Sequence, residues 1–111
     1  MADAHPVVLV TGAARRIGAA IAGRLHAAGC DIALHHRASA ADASALAFRL
    51  EAARPGSTLV LQADLGEDDA ARQLVEQTLA HFGRLDALVN NASAFFPTAV
   101  GSTTYRWPPT S

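Results

Sequence analysis

Gly12 and Gly18 bracket the stretch Ala13-Ala14-Arg15-Arg16-Ile17, directly after the apolar run Val7-Val8-Leu9-Val10. Glycines at a strand-to-helix junction suit phosphate binding. One allows a tight turn, the other lets a helix pack closely, and the helix start offers unpaired N–H groups in a favourable dipole. Arg15 and Arg16 add formal positive charge. This is not a triphosphate loop, which needs a lysine after its last glycine; the chain has no lysine at all. About 20 residues on, an NAD-selective site carries an acid for the ribose 2′-hydroxyl. Here the residues are Leu34-His35-His36-Arg37-Ala38-Ser39, with no acid among them. Arg37 can pair with a 2′-phosphate and Ser39 can donate to it, which favours NADP(H) over NAD(H). The alternatives stay open: Arg37 as a solvated surface arginine, Ser39 as a plain helix cap. His35 and His36 are adjacent on an extended segment, so they point to opposite faces and cannot hold one metal together.

These residues need a frame, and the hydrophobic pattern supplies one. Val7–Val10 reads as a strand buried on both faces. A helix follows over about 16–28, with Ile17, Ile21 and Leu25 spaced along one face and Gly29 as its stop. Residues 31–35 form a second strand. Ser39 and Asp42 resemble a capping box for a helix that carries Leu46 and Leu50 and ends at the Pro55-Gly56 turn. Residues 58–62 form a third strand. The helix after it has acids in its first turn, then Val75, Leu79 and Phe82 on one side, and Gly83 as terminator. Residues 85–92 are a fourth strand and its exit. The expected product is an α/β fold: a parallel sheet of about four strands with three helices and right-handed crossovers. Residues 1–97 carry this pattern. Residues 98–111 have no period and read as an irregular, aberrant tail.

The whole chain sets bounds. Its 111 residues make one domain, and half of them are apolar. A formal net charge of −1 argues against a nucleic-acid partner. Cys30 is the only cysteine, which excludes an internal disulfide and a thiolate zinc site. No run approaches the ~20 apolar residues of a membrane span, and the N-terminus lacks a signal-peptide pattern. The expectation is a cytoplasmic protein with no membrane partner.

Three segments, Thr11-Gly12-Ala13-Ala14-Arg15-Arg16-Ile17-Gly18, Ala63-Asp64-Leu65 and Val89-Asn90-Asn91-Ala92-Ser93, together resemble the short-chain dehydrogenase/reductase superfamily. Arg16 and Ser93 stand where its usual patterns have glycine. With His35-His36-Arg37-Ala38-Ser39 and Asn90-Asn91-Ala92-Ser93-Ala94-Phe95-Phe96-Pro97, those departures are similar to its pteridine reductase branch over roughly residues 6–100. The resemblance implies a Rossmann-like sheet in strand order 3-2-1-4, with residues 1–97 as the dinucleotide-binding half of such a domain, and an NADPH-dependent reductase of a pterin or folate-like small molecule. It implies a cofactor site of Gly12, Arg15, Arg16, Ile17, Gly18, His36, Arg37, Ser39, Asp64, Leu65, Asn91, Ala92 and Ser93. Asp64 and Leu65 would lie by the adenine, Asn91 and Ala92 by the ribose. Arg16, Ser93 and Phe95 would contact the pterin, with Phe95 stacked on its ring. The superfamily's proton-transfer pair is Tyr-x-x-x-Lys; here Tyr105 is the only tyrosine and Pro109 stands at the lysine position. No catalytic residue is therefore assigned. The expectation is the cofactor-binding half of a reductase whose usual oligomer interface lies elsewhere, with its fourth strand at an open edge. A non-enzymatic NADP-binding module and a non-functional truncated fragment are the alternatives.

Overall fold

A computed structural model describes residues 5–91. The expected Ala92, Ser93 and Phe95, together with Tyr105, Pro109 and the tail 98–111, lie outside the described residues. The elements run β1 (Val7–Val10), α1 (Arg16–Ala27), β2 (Asp31–His36), α2 (Ala40–Ala53), β3 (Thr58–Gln62), α3 (Ala70–Phe82) and β4 (Ala87–Val89). All pairings are parallel, as the sequence pattern predicts, and the order is β3-β2-β1-β4, as the resemblance implies. The chain steps outward from β1 to β3, then returns to the other side of β1. The C-terminal ends of β1 and β4 therefore flank the point where strand order reverses, the crevice where open α/β sheets bind ligands.

The alternation of side chains along the strands divides the core in two. Val8, Val10, Ile32 and Leu34 pack with Ala22 of α1 and with Leu46 and Leu50 of α2. Leu9, Ala33 and Leu61 pack with Leu65 and with Ala70, Leu74 and Val75 of α3. Both faces of β1 are covered, which is why all four of its residues are apolar. β4 pairs with β1 only; no described residue pairs with its other edge, Ala87 is exposed, and Leu88 and Val89 are half-buried.

Four local expectations are corrected. The core face of α1 is Gly18, Ala22 and His26, with Ile21 and Leu25 beside it; Ile17 is 68% exposed. The apolar period marks the right stripe, but its first member belongs to the loop rim. Ser39 precedes α2 with φ −114° and ψ 50°, outside the extended region a cap adopts, and its hydroxyl makes no capping bond. In α3 the acids Glu67, Asp68 and Asp69 precede the helix, because Asp69 is left-handed (φ 67°) and ends the helix backward. Leu79 is exposed, while Thr78 is buried and donates its hydroxyl to the Leu74 carbonyl at 2.8 Å.

Candidate functional site

The β1–α1 loop begins where β1 ends, at Thr11. Its N–H donates to the Val89 carbonyl (3.0 Å) and its hydroxyl to Asn90 Oδ1 (3.1 Å), while the Asn91 N–H donates to that hydroxyl (2.9 Å). These bonds tie the ends of β1 and β4 together. Gly12 follows with φ 61°, a left-handed turn that glycine adopts without penalty. Its carbonyl accepts from Asn91 Nδ2 at 3.1 Å. A Cβ built on Gly18 would lie 2.0 Å from that carbonyl oxygen and 2.6 Å from Asn91 Nδ2. The N-terminus of α1 is therefore seated directly on the turn, and the two expected glycine roles are both realised.

The other side of the loop rests on β2. The Ala13 N–H donates to the His35 carbonyl at 2.8 Å, and the Gly12 N–H donates to His35 Nδ1 at 3.0 Å. His35 is only 2% exposed, and its Nε2 meets the Ala63 carbonyl at 2.9 Å. Sequence reasoning took His35 as half of an adjacent histidine pair and gave it no part in the site. The available signal was a histidine directly after the apolar run Ile32-Ala33-Leu34, near the end of the strand that faces the glycine loop.

Arg15 and Arg16 are exposed at the loop rim beside Ile17. Arg16 has φ 57°, a left-handed conformation that costs a residue with a Cβ about 1–2 kcal/mol. The backbone there asks for glycine and the chain supplies an arginine. At the end of β2, Arg37 is exposed and its guanidinium lies 3.8 Å from Asp64 at the end of β3. Both side chains are open to water, so this pair contributes little to stability. Asp64 also accepts from the Gly66 N–H (2.9 Å), closing the turn after β3, while Leu65 turns into the second core. His36 is 5% exposed and its Nδ1 has no hydrogen-bond partner among the described residues. A buried polar atom without a partner costs free energy unless something else supplies the bond.

The geometry brings Gly12, Gly18 and Asn91 into contact and places Arg15, Arg16 and Ile17 along one rim. Arg37, Ser39 and Asp64 follow at the neighbouring strand ends. A left-handed glycine turn under a helix N-terminus fits a pyrophosphate, and the exposed Arg37 at the neighbouring strand end is a cation that can take an additional anionic group. No helix among the described residues is long and apolar enough to cross a membrane.

Residues 6–105 match the family described as short chain dehydrogenase. The chain is 47% identical over 110 residues to Pteridine reductase 1 of Leishmania tarentolae, covering 84% of this chain and 38% of that protein. It is 40% identical over 86 residues to the 3-oxoacyl-(acyl-carrier-protein) reductase of Synechocystis, covering 78% of the chain and 34% of that protein. Versicolorin reductase 1 of Aspergillus parasiticus is 36% identical over 96 residues, covering 83% and 36%. The chain thus spans little more than a third of the length of these relatives.

Proposed function

The chain belongs to the short chain dehydrogenase family, and from that premise we propose that it forms the NADP(H)-binding part of a pteridine-reductase-type oxidoreductase. The observation that carries the reading is the β1–α1 loop: a left-handed Gly12 with Gly18 seated on its carbonyl at the point where strand order reverses. NADPH bound there supplies a hydride for a pterin or folate-like substrate. The residues of this chain bind and orient. Gly12, Gly18 and Ile17 frame the pyrophosphate, with Arg15 beside it. Arg37, Ser39 and His36 hold the 2′-phosphate; the uncommitted state of the Ser39 capping hydroxyl and the orphaned His36 Nδ1 support that role. Asp64 and Leu65 border the adenine. Asn91 and Ala92 border the ribose, and the Asn91 bond to Gly12 makes it a strut of the loop as well. Arg16, Ser93 and Phe95 meet the pterin, with Phe95 stacked on the ring. Residues 1–97 form this unit, and the protein works in the cytoplasm.

Arg16 carries its own prediction. Arg16→Gly removes the left-handed strain and stabilises the ligand-free protein by about 0.5–1 kcal/mol, the relief being partly offset by the freer unfolded chain. The same change lowers NADP affinity about tenfold, since a charged hydrogen-bond partner is lost. A urea midpoint and a binding titration on one sample check both. Loss of stability would show that the side chain is a structural prop.

The reading as a whole is tested by titrating the 111-residue chain with NADPH and with NADH in a calorimeter. NADPH is expected to bind at least about tenfold tighter, the size of one charge-assisted contact. Equal affinities sink the NADP assignment, and no binding of either sinks the cofactor site. A second reading is a binding module without turnover. Adding a dihydropterin and following NADPH absorbance separates the two.

A further inference from the structure

His35 is a buried titratable side chain that the functional reading leaves without a role, yet it touches the loop on which that reading rests. Both of its ring nitrogens are engaged. The Gly12 N–H can only donate, so Nδ1 accepts and is unprotonated; the Ala63 carbonyl can only accept, so Nε2 carries the hydrogen. The two bonds select one neutral tautomer. The His35 carbonyl takes the next loop amide, that of Ala13. A single β2 residue therefore holds two successive N–H groups of the loop, while Asn91 holds the intervening carbonyl from the β4 side.

We propose that His35 is the positioning residue of the dinucleotide loop: its neutral ring, clamped between Gly12 and Ala63, sets the left-handed turn on which α1 is seated. The inference rests on the proposed cofactor site and names the residue that gives the site its shape. It also makes the loop sensitive to acid. A proton on Nδ1 would turn that nitrogen into a donor facing the Gly12 N–H, and the bond would be replaced by repulsion.

The surroundings favour the neutral form. Burial lowers the His35 pKa from the ordinary imidazole value of 6.5, the Ala63 carbonyl opposes that, and the neighbouring His36 reinforces it. The other charged groups on the surrounding elements are Arg15 and Arg16 on the loop and Arg37 and Asp64 at the strand ends. Those on α3, which covers this face with Leu74 and Val75, include the exposed Arg72 and Glu76. With the folded-state pKa depressed, the clamp stabilises the fold fully above about pH 6.5. It weakens as pH falls below that value and is lost through the lower folded-state pKa.

Two substitutions divide the ring. His35→Asn keeps an acceptor near Nδ1 for Gly12 but cannot reach Ala63. His35→Gln places a donor near Nε2 for Ala63 but leaves Gly12 without its acceptor. The readouts are the hydrogen-exchange protection of the Gly12 amide by NMR and the affinity for NADP⁺, each measured from pH 8 to pH 5 on the 111-residue chain. Gly12 is expected to be protected in the wild type and in His35→Asn and unprotected in His35→Gln. NADP⁺ affinity should fall roughly tenfold in His35→Gln and much less in His35→Asn. In the wild type, protection and affinity should fall together on acidification; the ratio to His35→Asn at each pH removes the titration of the ligand's own phosphate. Equal Gly12 protection in all three proteins overturns the proposal, as does unchanged affinity in His35→Gln. If either variant does not fold, the wild-type acid titration decides: protection of Gly12 that persists after the ring protonates overturns the clamp. Should protection follow the expected pattern while no protein binds NADP⁺, the clamp is upheld and the cofactor reading fails.

Discussion

Gly18→Ala lowers the stability of the chain by about 3 kcal/mol or more and abolishes its affinity for NADPH. The added Cβ would lie 2.0 Å from the Gly12 carbonyl oxygen and 2.9 Å from its carbon, and 2.6 Å from Asn91 Nδ2. Two of these, including the closest, are backbone atoms, so moving the Asn91 side chain alone gives no relief and also costs its bond to the Gly12 carbonyl. Relief requires lifting the N-terminus of α1 off the turn, which moves the helix N–H groups away from the phosphate position. Gly23 is the control. It lies within α1 with nothing within 4 Å of a built Cβ. Gly23→Ala is expected to raise stability by about 0.5–1 kcal/mol through helix propensity alone. Thermal melts of the two variants and the parent make the comparison; each kcal/mol moves the midpoint by about 4–8 °C in a domain of this size. A Gly18→Ala melt within experimental error of the parent would mean that α1 is not seated on Gly12.

Arg37→Asp lowers the preference for NADPH over NADH about 100-fold while leaving the thermal midpoint nearly unchanged. The two expectations have different causes. Arg37 is 70% exposed and its pairing with Asp64, at 3.8 Å, is screened by water, so the fold depends little on it. The 2′-phosphate distinguishes the two cofactors, and a guanidinium makes charge-assisted hydrogen bonds to it worth about 1.5–3 kcal/mol, which reversal of the charge converts into repulsion. Asp64→Asn is the companion: it removes the carboxylate that competes for Arg37 and should raise the same preference modestly. Paired NADPH and NADH titrations of the three proteins provide the check. An unchanged ratio in Arg37→Asp would place the 2′-phosphate elsewhere, and a large stability loss would make Arg37 a structural residue.

The alternation of parallel strands with helices and the place of the glycine loop were legible because both depend on local pattern; the strand order came from the resemblance, since the same alternation also builds sheets of other order. Apolar runs of strand length alternate with helical periods, and parallel strands joined by helices cross over with one hand, which leaves few arrangements. Val7 to Val10 announced a strand covered on both faces, and that is what it is. Gly12 and Gly18 announced a turn and a close approach, and the Cβ contacts agree. Where the reading failed, the deciding atoms were elsewhere in the chain. Ile17 fits the apolar stripe of α1, but the sharp loop entry turns it outward. Ser39 and Asp42 have capping-box spacing, but the backbone leaving β2 does not bring the hydroxyl into line. The acids before α3 precede its first turn because Asp69 is left-handed.

Residue types and their spacing determine that this chain makes a parallel α/β sheet, with a glycine turn under a helix N-terminus and an arginine in place of an acid after the second strand. All of that follows from steric limits, periodicity and charge within short windows. The lock on the turn does not. Gly12 meets His35 across 23 positions of sequence and Asn91 across 79, and only the pairing of β1 with β2 and with β4 brings them together. Hydrogen bonds between residues so far apart leave no period in the sequence. A buried histidine and an asparagine become the two supports of the loop only once the strands that carry them lie side by side.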